Sequence, residues 1–363
     1  MPSSEGMRGA ASIATATLLG AALSSDAGPP ADPLTTEVDR WSATIRDDRA
    51  SDDFAKQVKE GATAGLARVE QALKEDRRYL ALLRMSTVAN DVAALRYLKE
   101  RSPEQRKDVA AFEVEWTRLG NELAPSLQPP STSTLDGLRP AVLRALAEAS
   151  LPQAGVFYHA SVEYGRSTTP DSGLYYLGAA QGQRDFTSFV RGLSAPVGAA
   201  SPQVRAVAGE LEDLQEDLLA AYRPPASVDR HREFIIANSA LKEARELQAL
   251  GLRHGALLRY LQAAVRVAPL RAGASGPDAS VSGRLDAMAA RLGGDTDHSI
   301  GQLLVEWARA DLAEHAADGQ AAIAAAIAGD ALPRYFAALE APRSRPDRPQ
   351  PSVTVTLVRW PYT

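Results

Sequence analysis

The sequence predicts an all-α chain: an irregular antiparallel helical array, either α-solenoid-like or two helical bundles, with a short extended C-terminal tail. Three observations predict it. Alanine and leucine dominate the 363 residues. Apolar residues recur at steps of three and four in one segment after another, the period of a helix that buries one face. Before residue 352, β-branched residues rarely alternate with polar ones, so almost no strand is expected there.

At the N-terminus, Met7 and Arg8 open a run of small and apolar residues, Gly9 to Leu23, followed by Ser24, Ser25, Asp26 and Ala27. A short positive region, an apolar segment of this length and small residues before a cut after Ala27 mark residues 1–27 as an expected signal peptide, with Met7 as an alternative start. An Ala-rich leader without a targeting role is the other reading. The run is too short and too rich in Ala, Gly and Thr for a strong membrane span. No other stretch approaches 18 uninterrupted apolar residues. The expectation is an exported, periplasmic or secreted, soluble chain with no membrane span after signal removal.

Residues 28–124 are expected to form an N-terminal helical bundle. Its first helix carries Val38, Trp41 and Ile45, and the next shows a stripe of Phe54, Val58, Ala62, Leu66, Val69 and Leu73. A third uses Tyr79, Leu82, Leu83, Val88, Val92 and Leu95 and stops near Arg101. Ser102, Pro103 and Gln105 predict a fresh helix start, with Ser as cap and Gln reaching back to its amide. Val109, Phe112, Trp116, Leu119 and Leu123 then come at helical steps. The segment 125–134, PSLQPPSTST, reads as a linker and domain boundary.

Residues 135–341 are expected to be a second helical region. A helix over Leu135 to Ser150 leads into the most aromatic stretch, Val156 to Leu193, which holds seven aromatic residues in about a tenth of the chain. That stretch predicts two helices joined by a turn at Ser167 to Ser172, with Thr169 as cap and Pro170 first. Gly178 and Gly182, four apart, predict a close approach by another helix, because glycine otherwise weakens a helix. Ser201, Pro202 and Gln203 repeat the start signal, and Val204, Val207, Leu211, Leu214 and Leu218 repeat the stripe. Pro224 and Pro225 break the chain, and further helices are expected over Phe234 to Leu250, Leu257 to Val265, Ile300 to Trp307 and Ile323 to Leu339.

The last part, 342–363, is a Pro/Arg linker and a strand-like tail. Residues 342–351 hold four prolines and three arginines and are expected to be extended. Residues 352–360, SVTVTLVRW, alternate as a strand does. Val353, Val355, Leu357 and Trp360 are therefore candidate partner-binding residues. Two readings stand: strand addition to another protein, or a tail lying back on the chain's own helices with Trp360 and Tyr362 as anchors.

Ala244, Leu247, Gly251, Ala256, Leu257, Tyr260 and Ala263 resemble the spacing of tetratricopeptide-type helical repeats over about residues 237–270. The resemblance implies stacked helix pairs with a concave protein-binding face and no chemistry of their own. No period of 34 recurs elsewhere, and an ordinary antiparallel helix pair with a small-residue seam has the same pattern.

The net charge of −5 gives no basic footprint for nucleic acid. With no cysteine, thiolate zinc sites, disulfides and cysteine nucleophiles are excluded. The five histidines show no metal-ligand spacing, so neither metal nor cofactor is expected. Ser239 and Lys242 match the spacing of penicillin-recognising serine enzymes, yet the companion elements are absent. The most suggestive polar set is Glu163, Tyr164, Arg166, Tyr175, Tyr176 and Arg184, where arginine beside tyrosine rings suits a carboxylate or a sugar face. The leading expectation is a non-enzymatic exported scaffold that binds another protein of the cell envelope. The alternative is a small-ligand-binding protein or enzyme using a pocket around Tyr164, Arg166 and Tyr176.

Overall fold

Helix succeeds helix as the apolar stripes require. The structure, a computed structural model, describes residues 32–340 apart from 49–51, 131–134, 167–169, 194–199, 273–279, 318–319 and the single positions 103, 129, 136, 139, 201 and 226. The expected signal peptide and the tail carrying Val353, Val355, Leu357 and Trp360 lie outside the described residues. Among the described residues there is no strand, and a lone parallel bridge pairs Ala200 with Thr296.

α1 (Pro33–Arg46) buries Leu34, Val38, Trp41 and Ile45 on one face. α2 (Asp53–Lys74) is capped by Asp52, whose carboxylate accepts the Ala55 amide at 3.0 Å and pairs with Arg106 at 2.6 Å. α3 (Arg78–Lys99) is buried on most sides. The Ser102 and Gln105 side chains do exchange hydrogen bonds with each other's amides, at 3.3 and 2.8 Å. They hold only a 3₁₀ turn, however, and α4 (Val109–Leu127) starts at a second cap, Asp108, which accepts from Ala110 and Ala111. Pro125, expected in the linker, sits inside the last turn of α4.

The helix expected over 135–150 and the first aromatic helix are one element, α5 (Ala141–Gly165), which runs through Pro152. α6 (Pro170–Gly192) begins at the expected proline. The start signal at Ser201 does not begin a helix: residues 202–207 are irregular, and Val204 and Val207 are buried from there. Next come α7 (Ala208–Ala221), α8 (His231–Ala249), α9 (Arg253–Ala272), α10 (Val281–Ala290) and α11 (Ser299–Glu314). Gly251, at φ 75°, makes the tight turn between α8 and α9, a conformation that favours glycine. Ala244, Leu247, Ala256, Leu257, Tyr260 and Ala263 are all buried.

α12 (Ala322–Leu339) passes through a π-helical stretch, Ile327–Ala331. By length and composition it is apolar enough to cross a membrane, yet half of it is buried within the fold. It carries an Asp330–Arg334 ion pair, and Arg334 donates to the Tyr260 hydroxyl.

α6 lies between α3 and α5, and α5 in turn packs on α9, which packs on α8. One buried apolar cluster runs from Leu34 in α1 to Ala338 in α12.

Candidate functional site

The aromatic seam forms where α6 meets its two neighbours. A side chain at Gly178 would stand 2.7 Å from the Ala94 amide nitrogen, and one at Gly182 would stand 2.9 Å from Asn90 Cα. The α3 and α6 backbones therefore touch at both glycines. Between them, buried Gln183 donates to the Ser86 carbonyl at 2.8 Å and to Asn90 Oδ1 at 2.6 Å. The Tyr175 hydroxyl donates to Asp91 Oδ1 at 2.9 Å. Burial, then the Asp91 charge, holds that hydroxyl well above its ordinary range, and burial raises the Asp91 carboxyl too.

Tyr164 stacks on Tyr176 with centroids 5.1 Å apart, Phe157 lies 6.2 Å from the same ring, and Tyr175 meets it edge-on at 5.5 Å. Burial, with Tyr164 and Glu163 beside it, raises the Tyr176 hydroxyl. The structure thus brings Tyr164, Tyr175 and Tyr176 together, with exposed Glu163 at the rim. The two arginines go elsewhere. Arg166 Nε donates to Glu113 Oε1 at 2.7 Å, and its guanidinium lies 5.8 Å over the Trp116 ring, which itself stacks on Tyr158 at 4.8 Å. Arg184 pairs with Glu122 at 3.1 Å. Both acid partners sit on α4, which no local pattern around residue 166 could reveal.

Because Arg166 and Glu113 are both about half exposed, their pair is screened by water. Arg166→Ala is expected to change stability by less than about 1 kcal/mol, read as an almost unchanged thermal midpoint. A fall of many degrees would assign Arg166 a structural role. An open hollow of about 410 Å³ lies along α2, lined by Lys56, Lys59, Glu60, Thr63, Ala64 and Ala67.

Glu148, Glu306 and Asp311, all with raised carboxyls, were not among the sequence candidates. Several cap a helix start from another element. Glu306 on α11 accepts the Leu80 amide at 2.7 Å, with Tyr79 beside it, at the start of α3. Asp297 accepts the Ala141 amide, and Ser299 Oγ accepts Val142 at 2.9 Å, at the start of α5. Glu148 on α5, fully buried, accepts the Gly255 amide at 2.7 Å and pairs with Arg144 at 2.9 Å at the start of α9. Asp311 accepts the Ala324 amide at 2.9 Å at the start of α12. The residues preceding α3, α5 and α12 are Arg77, Pro140 and Ala321, none of which makes a side-chain cap. The exposed amides at a helix start favour an oxygen acceptor and negative charge. Beside Glu148, Glu243 and Arg259 form a buried ion pair at 2.8 Å; burial raises the Glu243 carboxyl and lowers the Arg259 guanidinium.

Burial outweighs the caps' amides, so Glu148, Asp311 and Glu306 all hold protons more tightly than usual, Glu306 being pushed up to about 7. A carboxyl whose folded pKa exceeds its ordinary 4.5 contributes stability that is full below that value and is lost as pH rises through about 7. A rise of this size corresponds to roughly 3 kcal/mol. Glu306→Gln, which keeps an acceptor for Leu80, is expected to flatten the fall in thermal midpoint between about pH 5 and 8. An unaltered slope would show that Glu306 is not its source.

Histidines are used singly. His298 Nδ1 meets the Tyr335 hydroxyl at 3.0 Å, and His231 Nδ1 meets the Tyr222 hydroxyl at 2.7 Å. Among the described residues, no three of His, Asp and Glu converge as metal ligands would. No family model matches this chain, and neither do curated proteins or solved structures.

Proposed function

We propose that the chain is a non-enzymatic, exported helical scaffold that binds another protein of the cell envelope. One observation carries the reading: among the described residues, the raised carboxyls of Glu306, Glu148, Asp311, Glu243 and Asp91 are each engaged at a helix start, in an ion pair or with a tyrosine hydroxyl. Perturbed groups converging in a pocket are what an enzyme reading needs. The small-ligand reading loses support because Arg166, its anion-binding group, is held by Glu113 away from the Tyr164–Tyr176 stack. Export is supported by the composition of residues 1–27.

A binding face suits the α4–α5 side. Val109 and Val114 on α4 and Val156 and Tyr164 on α5 are exposed on helices that pack together, Val114 by 71%. Val156 and Tyr164 are eight apart and so share one face of α5. The test is a photo-reactive side chain at position 114 in the full chain, expressed with its N-terminal segment in envelope-bearing cells. A single cross-linked protein, lost in Val156→Asp, together with a mature N-terminus at Gly28, is the expected result. A chain retained in the cytoplasm without adducts would overturn the reading.

A further inference from the structure

We propose that the outward face of the α7–α8 hairpin is covered by this chain's own C-terminal segment, residues 342–360. α7 buries Leu211, Leu214 and Leu218 and turns its other side to solvent. There Glu212, Glu216 and Leu219, spaced four and three apart, form one exposed stripe, with Asp213 beside it. Glu210 and Asp217 are paired with Arg205 and Arg271, whereas Glu212, Asp213 and Glu216 have no ion pair among the described residues. The stripe thus presents acidic side chains without an ion pair at one end and an apolar side chain, 56% exposed, at the other.

α8 runs antiparallel to α7. Arg245 donates to Gln215 at 3.2 Å and to the Leu211 carbonyl at 3.5 Å, and Tyr222 stacks on Phe234 at 4.2 Å. That register brings Ile235 level with the end of α7. Val228, in the turn before α8, and Ile235 are 62% and 46% exposed. Leu219, Val228 and Ile235 therefore gather at the far end of the hairpin, with the acids nearer its beginning.

The described chain ends beside the other end of this face. The Arg205 amide donates to the Ala338 carbonyl at 3.1 Å, and its guanidinium to Ala337 at 2.9 Å. The exit at Glu340 therefore lies near Arg205, three residues before α7 begins. Beyond Glu340 the chain carries Arg343, Arg345 and Arg348 against Asp347, then the apolar Val353, Val355 and Leu357. Its order, basic then apolar, matches the order of the face, acidic then apolar. Reach matches too. α7 is about 21 Å long at 1.5 Å per residue, and the ten-residue Pro/Arg spacer spans about 31 Å when extended. The spacer therefore suffices to carry the apolar residues to Leu219 and Ile235.

This inference stands apart from the scaffold reading, because it concerns a different face. The absence of cysteine makes its test clean. In the full chain, Leu219→Cys/Val355→Cys is expected to close an intramolecular disulfide under mild oxidation about tenfold faster than Val114→Cys/Val355→Cys, since tethering to one face raises the local concentration there. Adding Glu212→Lys and Glu216→Lys, on exposed positions where unchanged thermal midpoints verify folding, is expected to remove that advantage. Equal rates for the two cysteine pairs overturn the proposal. Cross-links formed only between molecules also overturn it, and would assign the face to a second copy.

Discussion

Gly178→Ala and Gly182→Ala are expected to destabilise the protein by about 1–3 kcal/mol each, and Gly178→Val by more. A methyl group at either position meets the backbone of α3, which cannot rotate away as a side chain could. The helices must part, and the contacts of Gln183 with Ser86 and Asn90 loosen with them. Gly209, in exposed α7, provides the opposite case: nothing lies within 4 Å of a side chain added there. Gly209→Ala is expected to stabilise by about 0.5–1 kcal/mol, because alanine is the better helix former. Chemical denaturation of the four single variants reads the comparison directly. If Gly178→Ala gains stability as Gly209→Ala does, α3 and α6 are not in backbone contact.

Glu148→Ala is expected to cost about 3–5 kcal/mol, since it removes one partner of a buried charge pair. The loss has several parts. Arg144 loses its carboxylate, the Gly255 amide loses its acceptor, and a void opens where α5 crosses the start of α9. Gly255 is bound to the same arrangement, because a side chain there would stand 2.7 Å from Glu148 Cβ. Glu148→Gln retains an oxygen for the amide, so its cost should be smaller, about 1–2 kcal/mol. Thermal and denaturant unfolding of both variants distinguish a cap from a merely space-filling side chain. Equal losses for Ala and Gln would remove the hydrogen-bond argument and leave only the charge.

The stripes of α1 and α2 were legible because burying one side of a helix imposes a period that a sequence must carry. Trp41, Val58 and Leu66 are buried at the expected positions. The ring cluster was legible for the same reason: Phe157 and Tyr164 lie two turns apart on one face of α5, both against Tyr176 on α6. The local cap at Ser102 was legible too, although not its outcome. Asp108 provides a second start six residues on, and the chain uses both. The helix end expected at Ser150 does not occur, because α5 runs on through Pro152. Pro202 reads as a start, yet the segment after it stays irregular while Arg205 is tied to the end of α12.

Sequence alone determined that this protein is a set of amphipathic helices with an aromatic, glycine-containing seam, because periodicity and helix propensity act within a few turns of chain. Only the tertiary structure decided which carboxylate serves which helix start, and which acid holds Arg166. Glu306 and Leu80 are separated by 226 residues, and Asp297 and Ala141 by 156. An amide at a helix start donates to any oxygen that arrives with the right direction, whatever its place in the chain. Such a pairing leaves no spacing behind in the sequence.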